Sequence, residues 1–276
     1  MMRYEAFAGS FYTFDKKGLG QFIDKALQEA NVDKGIAEHA VSFVAPHAGY
    51  IYSGRVAAYT YKAINIMANT RKVDTFIIIG PNHTGYGTPI SVSAEDWHMP
   101  FGIVKNDFEL SKLITEKSNY INLDESAHSN EHSIEVQLPF LQKTVENPKC
   151  VFICMGDQSI EASRELAKAV LDASKELGRE IAIIASSDFN HYESAEVAKN
   201  KDMPAIEALL KLDYLEFNKR LEQSDDTACG FGPITVAAIF AKEKGAKSGY
   251  LLKYANSGDA NGDYSSVVAY ASIIFA

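Results

Sequence analysis

Short, mostly apolar runs rich in β-branched residues recur along the chain at residues 41–45, 75–79, 150–154 and 181–185. Strands buried on both faces read this way, because neither side of the pleat meets water, and such strands belong to parallel sheets covered by helices. Helical patterns fall between them. Leu19, Phe22, Ile23, Ala26 and Leu27 repeat at helical spacing, as do Leu166, Val170, Ala173 and Leu177; Val136, Leu138, Phe140, Leu141 and Val145 do so less regularly. The alternation predicts an α/β fold, with a mostly parallel or mixed sheet flanked by helices. Two further runs, 249–254 and 266–275, are joined by a polar, glycine-bearing stretch without a helical pattern, which predicts an antiparallel pair.

No Pro/Ser-rich linker, low-complexity tract or internal repeat divides the 276 residues, so residues 1–276 are read as one domain. The net charge of −9 and the lack of a basic patch argue against nucleic-acid binding. No segment approaches the roughly 20 apolar residues that span a bilayer, and no signal-type apolar run opens the chain. Three cysteines without a framework fit a reducing compartment, and the expectation is a cytoplasmic protein.

In an open α/β sheet the loops beyond the carboxyl ends of the strands converge on one crevice. His47 follows the run 41–45 and His83 the run 75–79, each beside glycine and proline. Ser186-Ser187-Asp188-Phe189-Asn190-His191 follows the run 181–185. Cys229 precedes Gly230-Phe231-Gly232-Pro233 and a helical apolar run. Imidazole and thiolate are ligands for iron, copper and zinc, so His47, His83 and Cys229 are the candidate metal ligands. A helix start is expected to lower the thiol pKa of Cys229. His191 and Asp188, three residues apart, are candidates for an acid/base pair in which the carboxylate orients the imidazole. Cys150 and Cys154 share one face of an apolar strand and read as core.

Two rival readings stand beside this one. His128-Ser129-Asn130-Glu131-His132 has the His-x-x-Glu-His spacing of a group of zinc peptidases, which requires both imidazoles on one helical face. Alternatively, Glu131 and His132 line the main pocket, together with Tyr50 and Asn82. The Asp-x-Asn-x-Asp ordering at 259–263 lacks the later glutamate of a calcium loop. No nucleotide-binding or serine-hydrolase motif appears.

Six ordered segments resemble the Memo family, called AmmeMemoRadiSam system protein B in microbes. They are Ala8-Gly9-Ser10-Phe11-Tyr12, Ala45-Pro46-His47-Ala48-Gly49-Tyr50, Gly80-Pro81-Asn82-His83, Glu131-His132-Ser133-Ile134-Glu135 with Leu138-Pro139, Ser186-Ser187-Asp188-Phe189 with His191-Tyr192, and Cys229-Gly230. The resemblance implies a fold like that of the class III extradiol dioxygenases, which open catechol rings with non-haem iron. It places His47 and His83 where those enzymes keep two iron-binding histidines and His191 where they keep an acid/base histidine. Cys229 stands in place of their glutamate, which puts ring opening in question. The resemblance further implies iron(II) or copper, with zinc as an alternative, and an oxidoreductase or redox role on a small molecule or peptide. It also implies association with AMMECR1-domain and radical SAM proteins, and in eukaryotic relatives the binding of phosphotyrosine segments, so a non-catalytic scaffold is the alternative function. Chains of this size often form symmetric dimers, but no self-complementary patch is readable in the sequence, so a homodimer is one open alternative.

Overall fold

A computed structural model describes residues 2–276. The strands are β1 (Met2–Tyr4), β2 (Ser42–Ala45), β3 (Thr75–Pro81), β4 (Ile90–Val92), β5 (Asp96–Met99), β6 (Gly102–Asn106), β7 (Ile121–Leu123), β8 (Lys149–Met155), β9 (Ile181–Ser186), β10 (His191–Glu193), β11 (Gly249–Asn256) and β12 (Val267–Phe275). They form one twelve-stranded mixed sheet in the order β1-β5-β6-β8-β3-β9-β2-β12-β10, with β11 on β12 and β4 bridging β7 to β8. The four apolar runs are its centre: β8, β3, β9 and β2 are mutually parallel. β11 and β12 pair antiparallel, as the sequence predicts, although a short helix, Gly258–Asn261, interrupts the polar connection.

The central strands are apolar throughout because alternate residues enter different cores. Ile77, Ile79, Ile153 and Ile183 pack beneath the helices Ile160–Glu176, Ala195–Leu210 and Phe231–Glu243. Phe76, Ile78, Phe152 and Ile184 face the helices Lys16–Glu29, Tyr50–Ala68 and Leu138–Thr144. Cys150 and Cys154 lie fully buried in this second layer, which makes them packing residues. No helix among the described residues is long and apolar enough to cross a membrane.

Most helices begin with a side-chain cap: Asp15, Ser159, Ser194 and Asp213 each accept a backbone N–H of their first turn. The helices Tyr50–Ala68 and Phe231–Glu243 begin instead at Gly49 and Gly230, without one. Glycine is required at 230 because a Cβ there would lie 2.6 Å from Ser187 Cβ. The close approach seats the start of that helix directly on the end of β9.

The N-terminal strand is tied down by a buried ion pair. Arg3 Nη2 lies 2.8 Å from Glu135 Oε2, and the guanidinium stacks 4.0 Å over the Trp97 ring while donating to the carbonyls of His128 and Glu131. Glu135 also accepts the N–H groups of Ala6 and Phe7 and the hydroxyl of Tyr12. Removing one partner of such a pair strands the other charge away from water, so Arg3→Ala is expected to cost about 3–5 kcal/mol in denaturant unfolding. Lys168→Ala, which removes only a solvent-exposed pair with Asp172, leaves the unfolding midpoint in place. Equal midpoints for the two variants would contradict this assignment.

Candidate metal centre

The parallel register brings the strand ends to one rim: Ala45 of β2 pairs with Ser186 of β9, and Ile79 of β3 with Ala185. His47, His83 and Asp188 lie just past these ends, and Cys229 reaches them from the helix start at Gly230. Ligand atoms of His47, His83 and Cys229 all lie within 4.8 Å of one another. The Cys229 sulfur is 3.1 Å from His47 Nε2.

The hydrogen bonds settle which nitrogen of each imidazole faces inward. The Ser186 hydroxyl donates to the Ser133 carbonyl at 2.6 Å, so its single proton is used. It accepts Gln137 Nε2 at 2.8 Å and must also accept at 2.9 Å from His47 Nδ1. Gln137 is itself oriented by Tyr61, whose hydroxyl donates to Oε1, and by the Pro46 carbonyl, which accepts from Nε2. His47 therefore carries its proton on Nδ1 and presents the Nε2 lone pair to Cys229. His83 repeats the arrangement: its Nδ1 lies 2.9 Å from Glu131 Oε1, which as a carboxylate can only accept. A carboxylate or hydroxyl on the outer nitrogen is how metal-binding histidines are commonly oriented.

Burial acts on these groups in different directions. It takes His47 well below its ordinary value, with the neighbouring His83 adding to the effect, so His47 is a neutral ligand. Burial also pushes His132 down to about 3, helped by His47. For Glu131 burial pulls upward, but the hydrogen bond of His83, the charge that ring carries when protonated in acid, and the N–H groups of Ser133 and His83 outweigh it and hold the carboxyl at about 2.

Cys229 corrects an expectation. Burial pushes its thiol up, the Asp188 charge adds to this, and the N–H of Asp188, 3.3 Å from the sulfur, offsets only part. The helix start does not lower it because the nearby N–H groups are spent elsewhere. Gly230 donates to Ser187 Oγ and Gly232 to Gln158 Oε1, both at 2.9 Å. A thiolate here requires a cation close by to displace the proton.

The remaining sequence candidates divide. His132 stacks on His83 with centroids 4.5 Å apart, meets His47 edge-on at 5.3 Å and backs onto Phe11 at 4.5 Å, so it roofs the site. Asp188 does not orient His191. Its carboxylate accepts the backbone N–H groups of His47 and Ala48, and the orienting partner of His191 is Thr227, whose carbonyl accepts from Nδ1 at 3.1 Å. The His191 Nε2 is thereby left as a lone pair, and the ring lies near enough to His47 and Asp188 for a proton taken up there to act on both.

Tyr50 is a core residue rather than a pocket wall: its ring packs against Phe22, Tyr12 and Phe140, and its hydroxyl donates to the Val136 carbonyl. Asn82 shapes the His83 loop instead of lining the pocket, its Oδ1 accepting from Thr84 and Gly85. The peptidase reading fails on geometry. His128 lies in a turn, fully buried beside Trp97 at 5.8 Å, and among the described residues it belongs neither to the His47, His83 and Cys229 group nor to the group formed by His83, Glu131 and His132.

Ser186, Ser133, Gln137 and Thr227 were not singled out by sequence, though all act on the site's imidazoles. The available signal was a polar residue inside an apolar pattern: Gln137 between Val136 and Leu138, and Ser186 at the end of an otherwise apolar strand.

The metal-free protein should lose stability on acidification. His132, protonated near 6.5 in the unfolded chain but only near 3 when folded, contributes stability above 6.5 that is lost as pH falls toward 3. Glu131 adds a second loss as pH falls from its ordinary 4.5 toward 2. Unfolding followed against pH should show a shallower acid limb between pH 6 and 4 for His132→Phe, on the order of one proton fewer in the slope. An unchanged slope would mean that His132 is not held neutral.

A family profile described as Memo-like protein matches residues 3–274. A MEMO1 family protein of Methanococcoides burtonii is 44% identical over 274 residues, covering 99% of each chain. Another, from Pyrobaculum aerophilum, is 42% identical over 280 residues, again covering 99% of each chain. A solved structure of an uncharacterized protein from Escherichia coli K12 aligns with 84% of this chain and 99% of its own, at a TM-score of 0.49 and 12% identity. The full-length match to the family and the identity to its archaeal relatives establish that the chain belongs to the Memo family.

Proposed function

We propose that this chain is a metal-dependent redox protein in which His47 Nε2, His83 Nε2 and Cys229 Sγ hold iron(II) or copper. The observation that carries the reading is the convergence of three donors within 4.8 Å, with both inner imidazole nitrogens unprotonated. Two imidazoles and one thiolate suit iron(II), copper and zinc, and the first two of these change oxidation state. His83 lies at the exposed mouth, so an outside molecule can reach the centre.

When bound, such a metal supplies one-electron chemistry and an open position for a small ligand. The chain's own residues account for the remainder. His191, with its Nδ1 proton fixed on Thr227, accepts a proton at Nε2 from a molecule entering the mouth. The Asp188 N–H tempers the charge on the Cys229 sulfur. His132 and Phe11 shed water from one wall. Ring opening of the extradiol type is not part of the proposal, because a soft, oxidisable thiolate replaces the carboxylate those enzymes use.

A scaffold role has one observation in its favour. Tyr86, three residues after His83, and Tyr192, next to His191, are 66% and 79% exposed and would offer a partner aromatic anchors. A peptide or protein that binds equally well after His47, His83 and Cys229 are all replaced by alanine would establish that role.

The metal reading is tested by iron and copper content after anaerobic purification. Near-stoichiometric metal is expected in the wild type and loss of it in both Cys229→Ser and His83→Ala. Affinity should rise about tenfold per pH unit through neutrality, since one proton leaves Cys229 and none leaves His47. Metal retained by both variants, or affinity independent of pH, would overturn the assignment.

A further inference from the structure

Behind the loop that carries Cys229 lies a second cluster of titratable groups that the metal centre does not use. Asp202, on the helix Ala195–Leu210, is fully buried. Its Oδ1 accepts the Asn190 N–H at 3.1 Å and its Oδ2 accepts the Tyr254 hydroxyl at 2.5 Å. Asp226 Oδ1 accepts the Ala228 N–H at 3.0 Å, whereas its buried Oδ2 has no N–H or O–H donor among the described residues. The group within hydrogen-bond reach of Asp226 is the Asp202 carboxyl. Two carboxylates in contact away from water repel; a proton between them turns the contact into a hydrogen bond and supplies the missing donor.

From this pair, hydrogen bonds lead to the mouth along two paths. Asp202 holds the backbone of Asn190, and the next residue is His191. Asp226 holds the backbone of Ala228, and the next residue is Cys229. Between Asp226 and Ala228 stands Thr227, whose Oγ1 accepts the His191 N–H at 2.7 Å and whose carbonyl accepts from the His191 ring. The other ionisable groups facing the pair are Glu193 on β10, Lys201 on the Asp202 helix and Tyr254 on β11. Lys201 is committed to Glu193 Oε1 at 3.0 Å and to the Asp225 carbonyl at 3.1 Å, so its charge is already offset.

We propose that Asp202 and Asp226 share one proton, and that this proton is a positioning device which fixes His191 and the segment from Thr227 to Cys229. Ionisation releases the proton to solvent and leaves two contacting carboxylates, whose repulsion loosens the Asp226 loop and with it the Thr227 hold on His191. Burial, reinforced by the Asp226 charge, raises Asp202 to about 8, which sets the release in the mildly alkaline range. The consequence for function rests on the reading of His47, His83 and Cys229 as metal ligands; the shared proton does not.

Asp226→Asn is the informative variant. Its amide oxygen still accepts the Ala228 N–H, and its N–H₂ donates to Asp202 permanently, replacing a proton that can leave with one that cannot. Infrared difference spectra of the wild type should show a protonated carboxyl band that disappears as pH rises through about 8. Over the same range the His191 ring signals in NMR should shift in the wild type and stay constant in Asp226→Asn. Tyr254→Phe, which removes a donor that stabilises the ionised form, should move both transitions to higher pH and serves if Asp226→Asn does not fold. A wild type without the carboxyl band, or a His191 transition that persists in Asp226→Asn, would overturn the proposal. Cobalt(II) added at neutral pH separates the two readings: absence of a thiolate-to-cobalt band would count against the metal centre alone and leave the shared proton standing.

Discussion

The register of four parallel strands is the constraint on which the site depends. β8, β3, β9 and β2 run in step, so that Pro81 ends beside Met155 and Ala45 beside Ser186. His47, His83 and Asp188 each follow such an end by only a few residues, which leaves little slack. A slip of one residue in β2 would turn Phe43 and Val44 into each other's cores and carry His47 away from Ser186. The two separate apolar layers resist that slip, because each central strand buries side chains on both faces.

Within this frame one hydroxyl does most of the orienting. Ser186 receives Gln137 and His47 and donates to Ser133, so the last residue of β9 fixes both the ring position and the protonation of a ligand from β2. Glu131 does the same for His83, and it is itself held beside the segment that Arg3 and Glu135 clamp to the N-terminal strand. The outer supports are thus buried and fully bonded while the mouth stays open at His83. Low dielectric around His47 and His132 keeps both neutral, which is the state in which imidazole binds a metal.

Much of this was legible in the sequence. Apolar runs bounded by glycine and proline marked the central strands, and their position before His47, His83 and Asp188 placed those residues on one rim. The small strands β4 to β7 were not legible, since three to five residues of mixed polarity carry no periodic signal; β4 and β7 are held by partners distant in sequence, and the β5–β6 hairpin is anchored at its flanks by β1 and β8. Tyr50 and Asn82 were misjudged for opposite reasons. A tyrosine at a helix start looks available, yet packing turned its ring inward; an asparagine beside a histidine looks chemical, yet its oxygen serves the turn. Cys229 shows a local rule losing to burial, because its helix's free N–H groups were already committed to Ser187 and Gln158. His128 shows spacing without helix: the His-x-x-Glu-His pattern is met in turns, where its residues diverge.

The proposed metal centre requires that one sulfur and two imidazoles bind the same ion. X-ray absorption at the edge of the iron or copper carried by the purified protein measures this directly. A single sulfur neighbour together with two imidazole nitrogens is expected in the wild type, and replacement of the sulfur signal by a lighter atom in Cys229→Ser. A metal environment made only of nitrogen and oxygen in the wild type would contradict it.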